Sequence, residues 1–264
     1  MNAAPPIVVA SAAATSVGVK RDHNEDAFLE AAPLFLVADG MGGYEAGEVA
    51  SAAAIGAFGS LIGERAVDID QLRDAYRVAG ENVMAVGSGG RQSAGTTLTG
   101  VAIAENEGAG YWLVLNVGDS RTYRFAGGRL EQISVDHSLV QELVDAGQLT
   151  AEEALHHANR NVVTRALGAG IVSDADFWML PAALGDRMMV CSDGLSGEVS
   201  DAAIAAILAE EADPQAAADR LIDAAMDHGG RDNITVVIVD ASAVSRGDSE
   251  FDGDTVPRQG GGLS

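Results

Sequence analysis

Apolar residues gather in short continuous runs at Leu34–Ala38, Thr96–Ile103, Tyr111–Val117, Met188–Cys191 and Ile234–Val239. Runs of that length, bounded by Gly, Asp and Asn, predict strands buried on both faces. Thr122–Phe125 and Arg129–Ile133 flank Ala126-Gly127-Gly128 and predict a hairpin. Helical patterns fill the spaces between. Gly47–Ile62 is Ala-rich with helically spaced apolar residues, and Ile69–Val86 follows Asp68, an N-cap residue. Ala202–Glu210 follows Ser200-Asp201, and Pro214–Met226 follows Asp213 with proline at the first helical position. Strands come in consecutive pairs around residues 95–134 while helices group elsewhere. That order predicts an α+β fold with antiparallel sheets.

Residues 136–185 break this rhythm. They combine a polar helical stretch (His137–Ala146), a second one from Ala151, and the polar run His156-His157-Ala158-Asn159-Arg160-Asn161. They predict an insert within a domain spanning 1–244. Ser245–Ser264 is rich in Gly, Asp and Ser and predicts a disordered tail. Thr255 within it, in FDGDTVPRQ, is a candidate phosphorylation or docking site.

Charge narrows the function classes. The 264 residues carry 39 Asp plus Glu against 16 Lys plus Arg, a net charge of -23. Such a surface repels phosphate backbones and anionic lipid, which argues against nucleic-acid or membrane partners. Cys191 is the only cysteine, so a disulfide framework and a cysteine-rich zinc site are both excluded. No apolar run reaches the length of a membrane helix, and the N-terminal MNAAPPIVVASAAATS lacks a basic leader region. The expected location is the cytoplasm, which makes the sequon Asn233-Ile234-Thr235 irrelevant.

The chemistry lies in where the acids stand. Asp39-Gly40 follows LFLVA, Asp119 follows LVLNVG, Asp193-Gly194 follows MMVCS, and Asp232 precedes ITVVIVD. One Asp-Gly alone reads as a turn. Four aspartates at the ends of buried strands read differently, because a rigid sheet edge fixes where each side chain points. Carboxylates converging there repel one another unless protonated or metal-bound. An oxygen-only set suits hard ions such as Mg2+ or Mn2+, and the glycines let a backbone carbonyl approach the ion.

The segments GVKRDHNEDAF (18–28), LFLVADGMGGYEAGEVAS (34–51), SAGTTLTGVAI (93–103), LNVGDSRTYRF (115–125), NVVTRALG (161–168), VCSDGLSGEVSD (190–201) and GGRDNITVVIVD (229–240) occur in order over about residues 15–240. By them the chain resembles a bacterial member of the metal-dependent protein phosphatase family, type 2C. The resemblance implies a four-layer sandwich, with two antiparallel sheets flanked by helix pairs and a binuclear metal site at one end. It implies that Asp39 bridges two Mn2+ or Mg2+ ions, that Gly40 lends a carbonyl, and that Asp193 and Asp232 ligate the second ion. Glu25 and Asp26 lie near the centre and act mostly through waters. Arg21 holds the substrate phosphate, and Asp119 with Asp193 matches a weaker third site. Residues 136–185 match the family's flap. The implied activity is hydrolysis of phosphoserine and phosphothreonine on proteins, counteracting a bacterial Ser/Thr kinase, by a monomer. The alternative of another class is a catalytically silent domain that binds phosphoproteins.

The residues agree with that chemistry. Phosphate monoesters hydrolyse extremely slowly without help, and two ions activate a water while offsetting charge repulsion. A guanidinium grips phosphate oxygens in a bidentate way. Cys191 sits in an apolar strand without the CxxxxxR loop of cysteine phosphatases and reads as packing. Met41 stands where many eukaryotic relatives place a histidine proposed as general acid. His137 is therefore a candidate proton donor, beside the plainer reading of a helix-start histidine. His156 and His157 project about 100° apart on a helix and do not share an ion.

Overall fold

The computed structural model describes residues 4–42, 46–87, 94–168 and 174–246. Thr255 and the tail from residue 247 onward lie outside the described residues. The chain opens with β1 (Ile7–Ser16), β2 (Asp26–Ala31) and β3 (Leu34–Met41), then α1 (Ala46–Gly56) and α2 (Ile69–Gly87). β4 (Gly95–Thr96), β5 (Leu98–Asn106), β6 (Ala109–Val117), β7 (Arg121–Ala126) and β8 (Arg129–Gln132) follow. Next come α3 (Leu139–Asp145), α4 (Ala151–Leu155), β9 (Leu167–Gly168), β10 (Asp176–Pro181) and β11 (Arg187–Cys191). α5 (Asp193–Ser196), α6 (Asp201–Glu210), α7 (Pro214–Asp227) and β12 (Ile234–Val244) complete it.

The strands form two sheets, and all their pairings are antiparallel. One runs β1-β12-β11-β7-β8; the other runs β10-β6-β5-β3-β4-β9, with β2 also on β3. Two-residue alternation explains why the central strands are apolar throughout. Leu34, Leu36 and Ala38 of β3 face a core shared with α1 and α2, while Phe35 and Val37 face the opposite sheet. On β11, Met188 and Val190 fill the space between sheets, whereas Met189 and Cys191 pack with α6 and α7. The result is the expected four-layer α/β-β/α sandwich. Among the described residues no helix is long and apolar enough to cross a membrane.

The helix starts follow their caps. Asp213 accepts from the Ala216 N–H and Ser200 from the Ala203 N–H. Asp68 accepts from the Gln71 N–H at 2.8 Å, while Gln71 accepts from the Asp68 N–H.

Three local expectations need correction, and one strand forms where none was expected. The helix expected over Gly47–Ile62 ends at Gly56 and continues only as a 3-10 turn at Gly59–Leu61, since glycine propagates a helix poorly. The run Thr96–Ile103 is two strands parted at Thr97, whose N–H bonds the Asp39 carbonyl. β1, whose Ala- and Ser-rich middle interrupts the apolar run begun at Ile7, forms by pairing along β12. Residues 136–185 are not one insert, because Asp176–Pro181 is β10, paired with β6 from Asp176–Asn116 to Pro181–Tyr111. The part outside the sandwich begins after Asp136 and carries α3 and α4. Its neck is closed by a bridge between Ser138 and Val163.

Candidate metal centre

The strand ends bring the acids together. Asp26 opens β2 and stands opposite Asp39 on β3. Asp119 lies in the turn after β6, Asp193 is the first residue of α5 after β11, and Asp232 precedes β12. Both sheets therefore contribute carboxylates to one end of the sandwich. Backbone packing leaves no latitude there. A Cβ on Gly40 would stand 2.2 Å from the Gly47 carbonyl oxygen and 2.6 Å from that of Glu25. Only glycine lets β3 pass that close to α1 and the Glu25 backbone.

The electrostatics are those of a cation site. Burial, above all, raises the Asp26 carboxyl to about 7, with the charges of Asp193 and Asp232 adding to it. Burial and the Asp193 charge raise Asp119 to about 8. Asp39 is pushed well above the ordinary range by burial and then by Asp26, Asp193 and Asp119. Asp193 is raised by burial and Asp232, partly offset by a hydrogen bond with Asp39. Burial also raises Glu25. Two carboxylate oxygens, Asp26 Oδ1 and Asp193 Oδ1, are buried without a hydrogen-bond partner. Orphaned acceptors among repelling carboxylates are satisfied by a hard divalent ion, so the donor set fits Mg2+ or Mn2+. Among the described residues no group of three acids, imidazoles or thiols is already closed around one ion position. The carboxylates instead take substitute partners. Asp232 Oδ2 accepts from Arg21 at 2.7 Å, and Asp26 Oδ2 accepts from the Ser192 hydroxyl at 2.8 Å.

Arg21 is half exposed on the loop before β2, so its guanidinium is reachable from solvent while it rests on Asp232. Cys191 is fully buried and its thiol is pushed up to about 12, which removes it from nucleophilic chemistry. His137 does not stand as a free proton donor. It is buried, its Nδ1 accepts from the Gly118 N–H at 3.2 Å, and its Nε2 lies 3.0 Å from Asp176 Oδ2. A general acid needs a ring nitrogen turned to substrate, and both are committed within the fold.

Three supporting residues were not legible as such. Asn233 accepts from the Glu25 N–H at 2.8 Å and donates to the Val17 and His23 carbonyls at 2.9 Å each. It holds the loop that carries Arg21 and Glu25. Thr97 Oγ1 accepts from the Asp39 N–H at 3.0 Å and lies 2.8 Å from the Ser120 hydroxyl, joining the two acidic strand ends. Arg121 forks onto both oxygens of Asp136 beside Asp119. The available signal was adjacency: each of the three is within two residues of an acid or on the facing strand.

Known proteins are similar to this chain in sequence and fold. The family model described as Protein phosphatase 2C matches residues 15–228. The serine/threonine protein phosphatase PstP of Mycobacterium tuberculosis is 40% identical over 238 residues, covering 89% of this chain and 45% of that protein. The chain thus spans less than half the length of that relative. The serine/threonine phosphatase stp of Listeria monocytogenes is 33% identical over 246 residues, covering 88% of this chain and 96% of that one. Among solved structures, the M. tuberculosis PstP/Ppp crystal structure superposes with a TM-score of 0.82 at 38% identity, over 90% of this chain and 100% of that one. The PstP catalytic domain in complex with two manganese ions gives 0.81 at 37%, over the same shares of 90% and 100%.

Proposed function

Because the chain belongs to the protein phosphatase 2C family, we propose that it is a Mn2+- or Mg2+-dependent protein phosphatase. It hydrolyses phosphoserine and phosphothreonine esters. The observation that carries the reading is the set of acids raised by burial and mutual repulsion, with orphaned oxygens on Asp26 and Asp193, at one end of the sandwich. Asp39, the Gly40 carbonyl, Asp193 and Asp232 would hold two ions, with Glu25 and Asp26 beside them. Asp119 and Asp193 would hold a third. When bound, such ions supply Lewis-acid charge and lower the pKa of a coordinated water.

The remaining tasks fall to the chain. Arg21 moves from Asp232 onto the phosphate, and its planar fork orients the ester. The carboxylates fix the positions from which positive charge acts, and the sheets keep them from relaxing. Asn233 keeps Arg21 and Glu25 in register with Asp232. No side chain is needed as nucleophile, consistent with the inert Cys191. The helices of the insert border the acids through a cavity of about 550 Å³ lined by Asp119, Asp193, Gln141 and Leu155. That placement suits control of substrate access. A Ser/Thr kinase supplies such substrates, and the acidic composition suits a cytoplasmic monomer.

The test is phosphate release from a phosphothreonine peptide with Mn2+, then with excess EDTA, for the wild type and Asp193→Asn. Metal-dependent turnover lost in the variant supports the reading. A folded wild type inert with both Mn2+ and Mg2+ overturns it.

A further inference from the structure

We propose that His137 is a positioning residue. It ties the neck of the insert to the turn that carries Asp119, and so sets how that carboxylate meets a divalent cation. The inference rests on the metal-binding reading above.

The tie is made of several bonds through one residue. A backbone N–H can only donate, so the Gly118 N–H at 3.2 Å makes His137 Nδ1 an acceptor. The ring proton then sits on Nε2 and is donated to Asp176 Oδ2 at 3.0 Å, on β10. The His137 N–H donates back to the Gly118 carbonyl at 2.9 Å, closing a two-bond ring with the turn. Its own carbonyl accepts from the Thr164 N–H at 2.8 Å, on the returning side of the neck. Three segments therefore meet at His137: the turn after β6, the returning side of the neck, and the edge strand.

The turn has no freedom on its other face. Gly118 has φ of 109°, and a Cβ there would lie 2.6 Å from Thr97 Cβ. The Thr97 hydroxyl accepts from the Asp39 N–H and contacts the Ser120 hydroxyl. Asp119 is thus carried on a peptide clamped between His137 and Thr97. Asp136, next to His137, holds Arg121, two residues after Asp119, with its shortest contact at 2.7 Å. Groups behind a metal ligand orient it, and their loss costs about 10- to 100-fold in metal affinity.

Two substitutions separate the bonds. His137→Asn keeps an acceptor near Nδ1 for the Gly118 N–H and loses the link to Asp176. His137→Gln reaches toward Asp176 and leaves the Gly118 N–H unpaired. Both are titrated with Mn2+ alone by calorimetry and by paramagnetic resonance of free Mn2+, with thermal unfolding measured alongside. The expected result is a loss of about 10-fold at the weakest Mn2+ site in His137→Gln, with His137→Asn near wild type. In an Asp119→Asn background, His137→Gln should add no further loss, because the effect passes through that carboxylate. The proposal is overturned if His137→Gln titrates like the wild type, or if both variants lose affinity equally and in step with Tm. A wild type that binds no Mn2+ sinks the metal reading itself. Wild-type binding with an unaffected His137→Gln sinks only the role of His137.

Discussion

Asp26 and Asp39 stand directly opposite each other across the β2–β3 ladder. Opposite residues of an antiparallel pair project to the same face with Cβ atoms about 5 Å apart, and like charges so placed destabilise the pair. Here both are pushed upward by burial and by each other's neighbours. The fold accepts this local cost at the point where the site needs charge, and five predictions develop from it.

Stability and pH are linked through these acids. Asp26 at about 7 and Asp119 at about 8 lie above the ordinary aspartate value of 3.8. The folded chain therefore binds protons that the unfolded chain has released, and ΔG of unfolding falls as pH rises between those values. The stabilising protons are fully in place below the unfolded value and lost as pH passes through 7 to 8. In EDTA, Tm should fall from about pH 5 to about pH 8.5, while the gain in Tm from saturating Mn2+ should grow over that window as metal replaces protons. A flat Tm in EDTA by scanning calorimetry contradicts the argument.

Asp39→Asn removes one of the two facing charges. The metal-free variant should melt higher than the metal-free wild type, because Asn neither buries a charge there nor has to take up a proton to avoid doing so. Mn2+-dependent turnover should fall by about 100-fold or more. Paired melting curves in EDTA and Mn2+ check both halves; a lower Tm in EDTA contradicts the first.

Asn233→Ala breaks three hydrogen bonds to the loop over residues 17–25. The three bonds are part-buried and two of the partners sit on exposed residues, so each is worth about 0.5–1.5 kcal/mol net. The variant should lose about 3 kcal/mol in urea unfolding. KM should rise, because Arg21 rides on that loop.

Arg21→Ala tests the phosphate anchor. Its pair with Asp232 is half exposed, so stability should change by less than about 1 kcal/mol. Turnover should nonetheless drop by about 100-fold in kcat/KM, the scale of a lost transition-state donor. Equal kcat/KM for variant and wild type removes Arg21 from the site.

Gly40→Ala places a methyl against two backbone carbonyl oxygens, neither of which has a flexible arm to move. Overpacking of this kind costs about 1–3 kcal/mol or more. Tm should fall, and Mn2+ should restore less of it than in the wild type. An unchanged melting curve shows that β3 and α1 are free to part.

The fold and the acids were readable from the chain because both are local. Strands buried on both faces must be apolar at successive positions, so Leu34–Ala38, Tyr111–Val117 and Ile234–Val239 declare themselves, and the aspartates at their ends follow. Asp68, Ser200 and Asp213 announce helix starts because a cap needs only its own next turn. What escaped was decided by partners distant in sequence. β1 is an Ala- and Ser-rich edge segment, and β10 is a short edge run inside the stretch that reads as an insert; pairing with β12 and β6 fixes each as a strand. Asn233 gains its role by bonds to residues more than two hundred positions earlier. His137 has the chemistry of a proton donor in the sequence. Only the tertiary structure, by placing Gly118 on one ring nitrogen and Asp176 on the other, turns it into a joint. Sequence fixes a side chain's chemistry; packing fixes which of its atoms remain free to use it.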